Sequence, residues 1–272
     1  EIVGVDACDT DALSQALAGC DAVVNLVGIL HGNRAQFEKA HVALTISALA
    51  ACRQAGIERY LHVSALGAAA DSPSLYQQSK AAAEAHVRAS ALKWTIFRPS
   101  VVFGPQDRFL NLFARLQASL PCLPLAGAGC RFQPVWVGDV ARALGLALEL
   151  DTTVGQTLEL AGPDILTLLE LVEYVGELTG NERPVISLPD SLAMLQAGLM
   201  ELLPGEPLMS RDNVRSLSRD NVSQAGFPSV LLGFAPHSLF SLAPAWLASD
   251  SRQSRLDGYR SRTPANGPDA AV

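Results

Sequence analysis

Tyr60-Leu61-His62-Val63-Ser64-Ala65-Leu66-Gly67, followed after a Ser/Pro turn by Tyr76-Gln77-Gln78-Ser79-Lys80, decides how this chain folds. Tyr60 to Val63 is a short apolar run that ends in Ser64 and a glycine turn, which reads as a buried strand. The segment from Ser74 to Ser90 then reads as a helix, on which Tyr76 and Lys80 stand four apart and share one face. An ammonium on that face reaches a phenol. A free phenol titrates at about 10, so it relays protons at neutral pH only where a neighbouring positive charge stabilises the phenolate. Lys80 is the residue placed to supply that charge.

Outward from this unit, short apolar strands alternate with helical stretches. The predicted strands are Ile2-Val3-Gly4-Val5, Ala22 to Val27, Tyr60 to Val63 and Trp94 to Phe97; the predicted helices are Asp11 to Ala18, Ala35 to Ala55 and Ser74 to Ser90. Alternation of this kind defines an α/β fold, a doubly wound parallel sheet, whose ligands gather at the carboxyl ends of the strands, where Gly28, Ser64 and Ser100 fall. Residues 1–105 read as this core. From about Gln106 prolines punctuate shorter helices, so residues 106–250 read as the remaining core elements with a smaller C-terminal capping region. Within it, Asp139 is expected to cap a helix running to Leu150, and Thr167 to Glu170 to open one that stops at Gly180. The tail, 251–272, has no apolar periodicity and reads as disordered.

Composition narrows the function. Hydrophobic residues make up 49% of the 272 and charged ones 17%, which is a filled core, and a net charge of −7 without any basic run excludes nucleic acid as the expected partner. The five cysteines, Cys8, Cys20, Cys52, Cys122 and Cys130, show no ligand spacing, so they read as reduced intracellular thiols and no metal is expected. No apolar run is long enough to span a bilayer. The apolar stretch from Ser191 to Leu203, between Pro189 and Pro204, reads either as a packed helix or as a surface-binding amphipathic one. These features fit a cytoplasmic protein, with peripheral attachment at an inner membrane through that helix. The chain begins at Glu1 without a Met, so targeting is not judged from this end.

Four stretches, in order and spacing, carry a family resemblance: Val24-Asn25-Leu26-Val27-Gly28, Ser64, Tyr76 to Lys80, and Arg98-Pro99-Ser100-Val101-Val102-Phe103-Gly104-Pro105. Together they resemble an extended short-chain dehydrogenase/reductase of the NAD-dependent epimerase/dehydratase group, which has a Rossmann-like sheet. Phe103 to Asn111, Arg131 to Val140 and Ser218 to Val222 are similar, more narrowly, to bacterial relatives of the NADPH-binding accessory subunit of respiratory complex I. The resemblance implies a catalytic set of Ser64, which orients a substrate oxygen, Tyr76 as acid/base, and Lys80, which lowers the phenol's pKa and binds the nicotinamide ribose. It implies nucleotide contacts from Asp6, Leu26, Val27, Gly28, Tyr76, Lys80, Pro99, Ser100, Val101 and Val102. As bare residues, Asp6 reads equally as a loop or capping Asp, and the apolar positions equally as core. The implied cofactor is NADP(H) or NAD(H), leaning to NADPH, and the implied partners are that dinucleotide and a respiratory complex or peripheral membrane partner. Two functions stay open beside each other: a nucleotide holder, or an active oxidoreductase or epimerase on a sugar-like or lipid-like substrate. A third is an interaction protein of a membrane complex or quinone pathway.

A dinucleotide-binding fold is expected to open on a strand, a glycine-rich turn and a helix whose N-terminus holds the pyrophosphate. No G-x-G-x-x-G or G-x-x-G-x-x-G stands at the start of this sequence, and Gly127-Ala128-Gly129 precedes no evident helix. By the resemblance, Ile2 to Val5 would be the family's third strand and the glycine-rich segment would be missing, with weak or no dinucleotide binding by these 272 residues as the expectation.

Overall fold

A computed structural model describes residues 2–205 and 207–248. Its centre is a four-stranded parallel sheet in the order β1 (Ala22–Asn25), β2 (Arg59–Val63), β3 (Lys93–Pro99), then a strand at Gln156–Leu160. Tyr60, Leu61 and His62 are buried in succession, the mark of a strand covered on both faces, which is why β2 reads as a continuous apolar run. On one face Tyr60 and Ile96 pack with Leu49, Cys52 and Val87. On the other, Leu61 and Phe97 pack with Val140, Ala143 and Ala147.

Three helices line the first face. Helix α1 (Thr10–Ala16) starts at Asp9, whose carboxylate accepts from the N–H groups of Asp11 and Ala12. Helix α2 (Arg34–Phe37), closed by a capping box of Asn33 and Gln36, continues through a π-helical segment (Glu38–Ala43) into α3 (Leu44–Ala55), which stops at Gly56 with φ of 74°. Helix α4 (Leu75–Ala89) carries the Tyr76/Lys80 face.

Beyond β3 the chain forms β4 (Val102–Phe103), α5 (Leu110–Ser119), β5 (Leu123–Ala126), β6 (Arg131–Phe132) and β7 (Val135–Trp136), then α6 (Val137–Glu149), which covers the second sheet face. β8 (Gln156–Leu160) is the fourth strand of the main sheet, followed by β9 (Leu166–Thr167), α7 (Leu168–Thr179), β10 (Val185–Leu188), α8 (Asp190–Met200) and α9 (Arg211–Ser216). Short pairs, β4 with β7, β5 with β10 and β6 with β9, tie these elements together around Phe103, Leu110, Leu125, Leu171 and Leu239.

Most predicted elements stand where expected, including the Thr167–Glu170 capping box and its Gly180 stop. Two do not. Ile2 to Val5 is exposed and pairs with no strand among the described residues, so an apolar run without a ladder partner is not a strand. Asp139 lies inside α6 rather than at its cap; its buried carboxylate accepts from the backbone N–H of His237 and contacts that residue's Nδ1, each at 2.7 Å. The predicted disordered tail, 251–272, lies outside the described residues.

A buried ion pair locks α4 to the sheet. Glu84 is 0% exposed, and Arg98 on β3 binds it through Nε at 2.8 Å and Nη2 at 2.7 Å, with Arg88 adding a third bond at 2.7 Å. Burial works against the charged carboxylate, but the bonds from Arg98, reinforced by Ser64 and Arg88, outweigh it and leave the Glu84 pKa lowered. Arg98→Met strands that carboxylate and is expected to cost about 3 kcal/mol of unfolding free energy at neutral pH. Because Glu84's folded pKa is depressed, the stabilisation is present above the unfolded carboxylate pKa of about 4.3 and is lost as acid carries the pH through the folded value. The difference between wild type and variant in urea melts therefore narrows below about pH 4; a difference independent of pH would show that the pair is not the cause.

Candidate functional site

The site stands where β1 and β2 end, beneath the first turns of α4. The sequence from Leu75 to Ala89 favours a helix because its interior holds Ala81-Ala82-Ala83 and has no Gly or Pro, and Ser74 caps it by accepting from Gln77 N. A second cap arrives from far along the chain. Asp212 of α9, 6% exposed, accepts from Ser74 Oγ and Leu75 N at 2.7 Å and from Tyr76 N at 3.1 Å. A carboxylate there satisfies orphan donors and complements the positive end of the helix.

Lys80, one turn further on, is 3% exposed, and its Nζ donates to Val27 O at 3.2 Å and Val63 O at 3.1 Å, just beyond β1 and at the end of β2. Burial brings its pKa down to about 8, with Glu84 opposing the shift. A Cβ added to Gly28 would lie 3.1 Å from Lys80 Nζ, so the glycine permits this close approach of loop and ammonium. Tyr76 is half-buried, its ring edge-on to His41 and Phe37 at centroid distances of 5.5 and 6.2 Å. Burial raises its phenol to about 12. The Lys80 charge is spent on two carbonyls and does not bring the phenol down.

Ser64 is buried just past β2, with its backbone N–H on Phe97 O. Its hydroxyl makes no regular hydrogen bond but lies close enough to Glu84 to favour that carboxylate's charged form. Leu26 and Val27 present exposed side chains on the loop after β1. Pro99 closes β3, and Ser100, buried, donates to Asn221 Oδ1 at 2.5 Å. Val101 and Val102 are half-buried and pack onto two different apolar clusters. Asp6 is exposed and turns its carboxylate onto Cys8 N at 3.0 Å. Gly28, Ser64, Tyr76 and Lys80 are thus gathered around the ends of β1 and β2, whereas Asp6 serves its own turn.

Several residues at the site have no signal in local pattern. Asn25, 6% exposed, accepts from Val27 N at 3.0 Å and donates to Tyr60 Oη at 3.0 Å and Thr45 Oγ1 at 3.3 Å. His41, within the π-helical segment, accepts from Ile29 N at 3.0 Å. Burial and the Lys80 charge hold His41 down at about 4, and burial holds His62 at about 3, so both imidazoles are neutral at physiological pH. Glu84, which sequence reasoning passed over, does carry a signal, as the next member of the stripe Tyr76, Lys80, Glu84, Arg88 at intervals of four. Chemically, the site offers one buried ammonium with its pKa brought down to about 8 and a protonated phenol, with the apolar side chains of Leu26 and Val27 exposed on the adjoining loop. Such a set suits hydrogen bonding to a neutral polyol more than moving protons.

Residues 1–107 match a family model described as NAD(P)H-binding. Subunit 9 of the NADH dehydrogenase (ubiquinone) 1 alpha subcomplex from Arabidopsis thaliana mitochondria is 35% identical over 248 residues, covering 86% of this chain and 61% of that protein. A ceramide reductase from Caulobacter vibrioides is 30% identical over 204 residues, covering 74% of this chain and 63% of that enzyme. The chain therefore spans less than two thirds of either relative. The structure of MoeE5 in complex with UDP-glucuronic acid and NAD superposes with a TM-score of 0.68 at 20% identity, over 93% of this chain and 85% of that one. Among the described residues no helix is long and apolar enough to cross a membrane. Residues 1–107 thus match an NAD(P)H-binding family model, the chain as a whole is similar to subunit 9 of the NADH dehydrogenase alpha subcomplex, and its parallel sheet has the fold seen in MoeE5.

Proposed function

We propose that the protein holds a nicotinamide dinucleotide, NADP(H) in preference to NAD(H), as a structural or redox-sensing group of a respiratory complex rather than turning it over. One observation carries this reading: the Tyr76 phenol is raised to about 12 while the Lys80 ammonium is engaged by Val27 O and Val63 O. A phenol in that state stays protonated at neutral pH and is a better hydrogen-bond donor than proton relay. The residues fit such a group. Gly28 keeps the strand end open, Leu26 and Val27 offer an apolar surface, and Lys80 and Tyr76 supply donors for ribose hydroxyls. Pro99 to Val102 would lie towards the nicotinamide, and Asp6 towards the adenine. Bound nicotinamide supplies hydride chemistry; this chain's residues bind and orient it. The preference for NADPH follows the resemblance to the accessory subunit.

A second reading, an active reductase or epimerase, is favoured by the ceramide reductase relative and by the presence of Ser64, Tyr76 and Lys80 near the ends of β1 and β2. In it Ser64 would turn from Glu84 towards a substrate oxygen and Tyr76 would deliver the proton. For attachment, α8 offers Leu192, Leu195 and Leu199, each more than half exposed, while Ala193 and Ala197 face inward. This leucine face would seat the protein peripherally against a membrane or an apolar subunit.

Calorimetry on the full-length protein is expected to show NADPH affinity falling roughly tenfold as the pH rises through about 8, where Lys80 gives up its proton, and Lys80→Met is expected to remove that dependence. A flat profile in the wild type would remove Lys80 from the site. Tyr76→Phe is expected to bind NADPH within about threefold of wild type, as loss of one exchangeable hydrogen bond allows, and the wild type to hold its nucleotide through repeated carbonyl challenge without oxidation. Steady turnover that Tyr76→Phe abolishes would instead establish the enzyme. Wild-type protein is expected to sediment with neutral phospholipid vesicles and Leu195→Asp to stay in the supernatant; equal partitioning of the two would exclude α8 as the lipid-facing element.

A further inference from the structure

The turn Val27-Gly28-Ile29 follows β1, yet its backbone polar groups are met by side chains instead of by a neighbouring strand. Val27 N–H goes to Asn25 Oδ1, Val27 O receives Lys80 Nζ, and Ile29 N–H goes to His41 Nε2. His41 is 2% exposed, too deep to be a solvated imidazole. We infer that His41 is a positioning residue, a neutral imidazole in one fixed tautomer that clamps the Gly28 turn to the helix bearing Tyr76 and Lys80.

The tautomer follows from counting protons. Ser79 Oγ donates to Tyr76 O at 2.8 Å, so its only hydrogen is committed, and the 2.7 Å contact between Ser79 Oγ and His41 Nδ1 must have the proton on nitrogen. Ile29 N–H points at Nε2, which therefore carries the lone pair. The chain runs Ile29 N–H to His41, His41 N–H to Ser79, Ser79 O–H to the Tyr76 carbonyl. A proton added at Nε2 would face the Ile29 N–H and bring a second cation beside Lys80. The remaining titratable neighbours, Tyr76 against the ring and His62 from β2, offer no negative charge to offset it.

The clamp and the ammonium converge on one residue. The position of a Cβ on Gly28 lies 3.1 Å from Lys80 Nζ and 3.8 Å from His41 Nε2. His41 also packs in a ring triangle with Phe37, at a centroid distance of 5.6 Å, and Tyr76, at 5.5 Å, so one side chain touches both the turn and the phenol ring. Thr45 Oγ1 donates to the His41 carbonyl at 2.6 Å, where the π-helical winding passes into α3 and satisfies the backbone there. A turn held in this way is ordered before any ligand arrives, and a ligand that lies on it does not lose affinity in ordering it.

The consequence for affinity rests on the nucleotide-holding reading; the clamp itself does not. On the full-length protein, nitrogen NMR of the histidines is expected to show His41 as the Nδ1–H tautomer with no titration above about pH 5, and the Ile29 amide to be protected from exchange. His41→Phe keeps a flat ring but removes the acceptor, and is expected to expose the Ile29 amide and weaken NADPH binding about tenfold. His41→Gln, with an amide oxygen that reaches Ile29 N–H, is expected to recover most of both. A His41 that titrates near 6.5, or an Ile29 amide equally protected in His41→Phe, overturns the clamp. Should His41→Phe not fold, the wild-type tautomer and the Gln variant still decide. Wild-type protein that binds no NADPH overturns the nucleotide reading and leaves the tautomer and exchange results to judge His41. Wild-type binding with equal affinity in His41→Phe overturns the positioning role.

Discussion

The carboxylate of Glu84 has been taken wholly out of water, and the arrangement around it follows from the need to keep that charge answered. Arg98 reaches it from the sheet with two parallel bonds and Arg88 from its own helix with one, so α4 has one depth and one rotation at which all three close. Fixing α4 in this way sets where Lys80 falls, one turn earlier, between Val27 O and Val63 O. Lys80 is buried only because its ammonium finds those carbonyls and has Glu84's opposite charge within range. A surface pair at the same sequence spacing would have neither the geometry nor the altered titration.

The fold was legible in the sequence wherever burial on both faces imposed an unbroken apolar run. Tyr60 to Val63 and Trp94 to Phe97 are of this kind, and the helices between them carry ordinary start and stop signals such as Ser74, Thr167 and Gly180. The same rule misread Ile2 to Val5, because apolar composition reports what a segment tolerates and a strand also needs a neighbour to complete its ladder. Asp139 failed for a related reason: a carboxylate near a helix start looks like a cap until a distant chain segment, here His237, supplies a better partner.

The site was legible only in part. Tyr76, Lys80 and the Gly28 approach follow from spacing four along a helix and from glycine at a strand end. Spacing led to the expectation of a phenol lowered by Lys80, and the phenol stays high because that ammonium binds backbone carbonyls at the end of β2 and on the loop after β1. Asn25, His41 and Asp212 left no mark in local pattern because each acts on backbone groups whose positions only the tertiary fold defines. A lone buried His within a helical stretch reads as packing; its bonds to Ile29 and Ser79 give it a direction and a proton.

Asp212 stands 136 residues beyond Tyr76 in sequence, yet it finishes the helix on which that residue lies. The first turn of α4 therefore belongs, in energetic terms, to two distant parts of the chain. An evolutionary exchange that carried the parallel core into a new setting without its late segment would deliver a helix with frayed leading amides and a misplaced phenol. The placement of Tyr76 is thus tied to a carboxylate that only the late part of the chain supplies, so the parallel core and the segment after it are not mechanically separable.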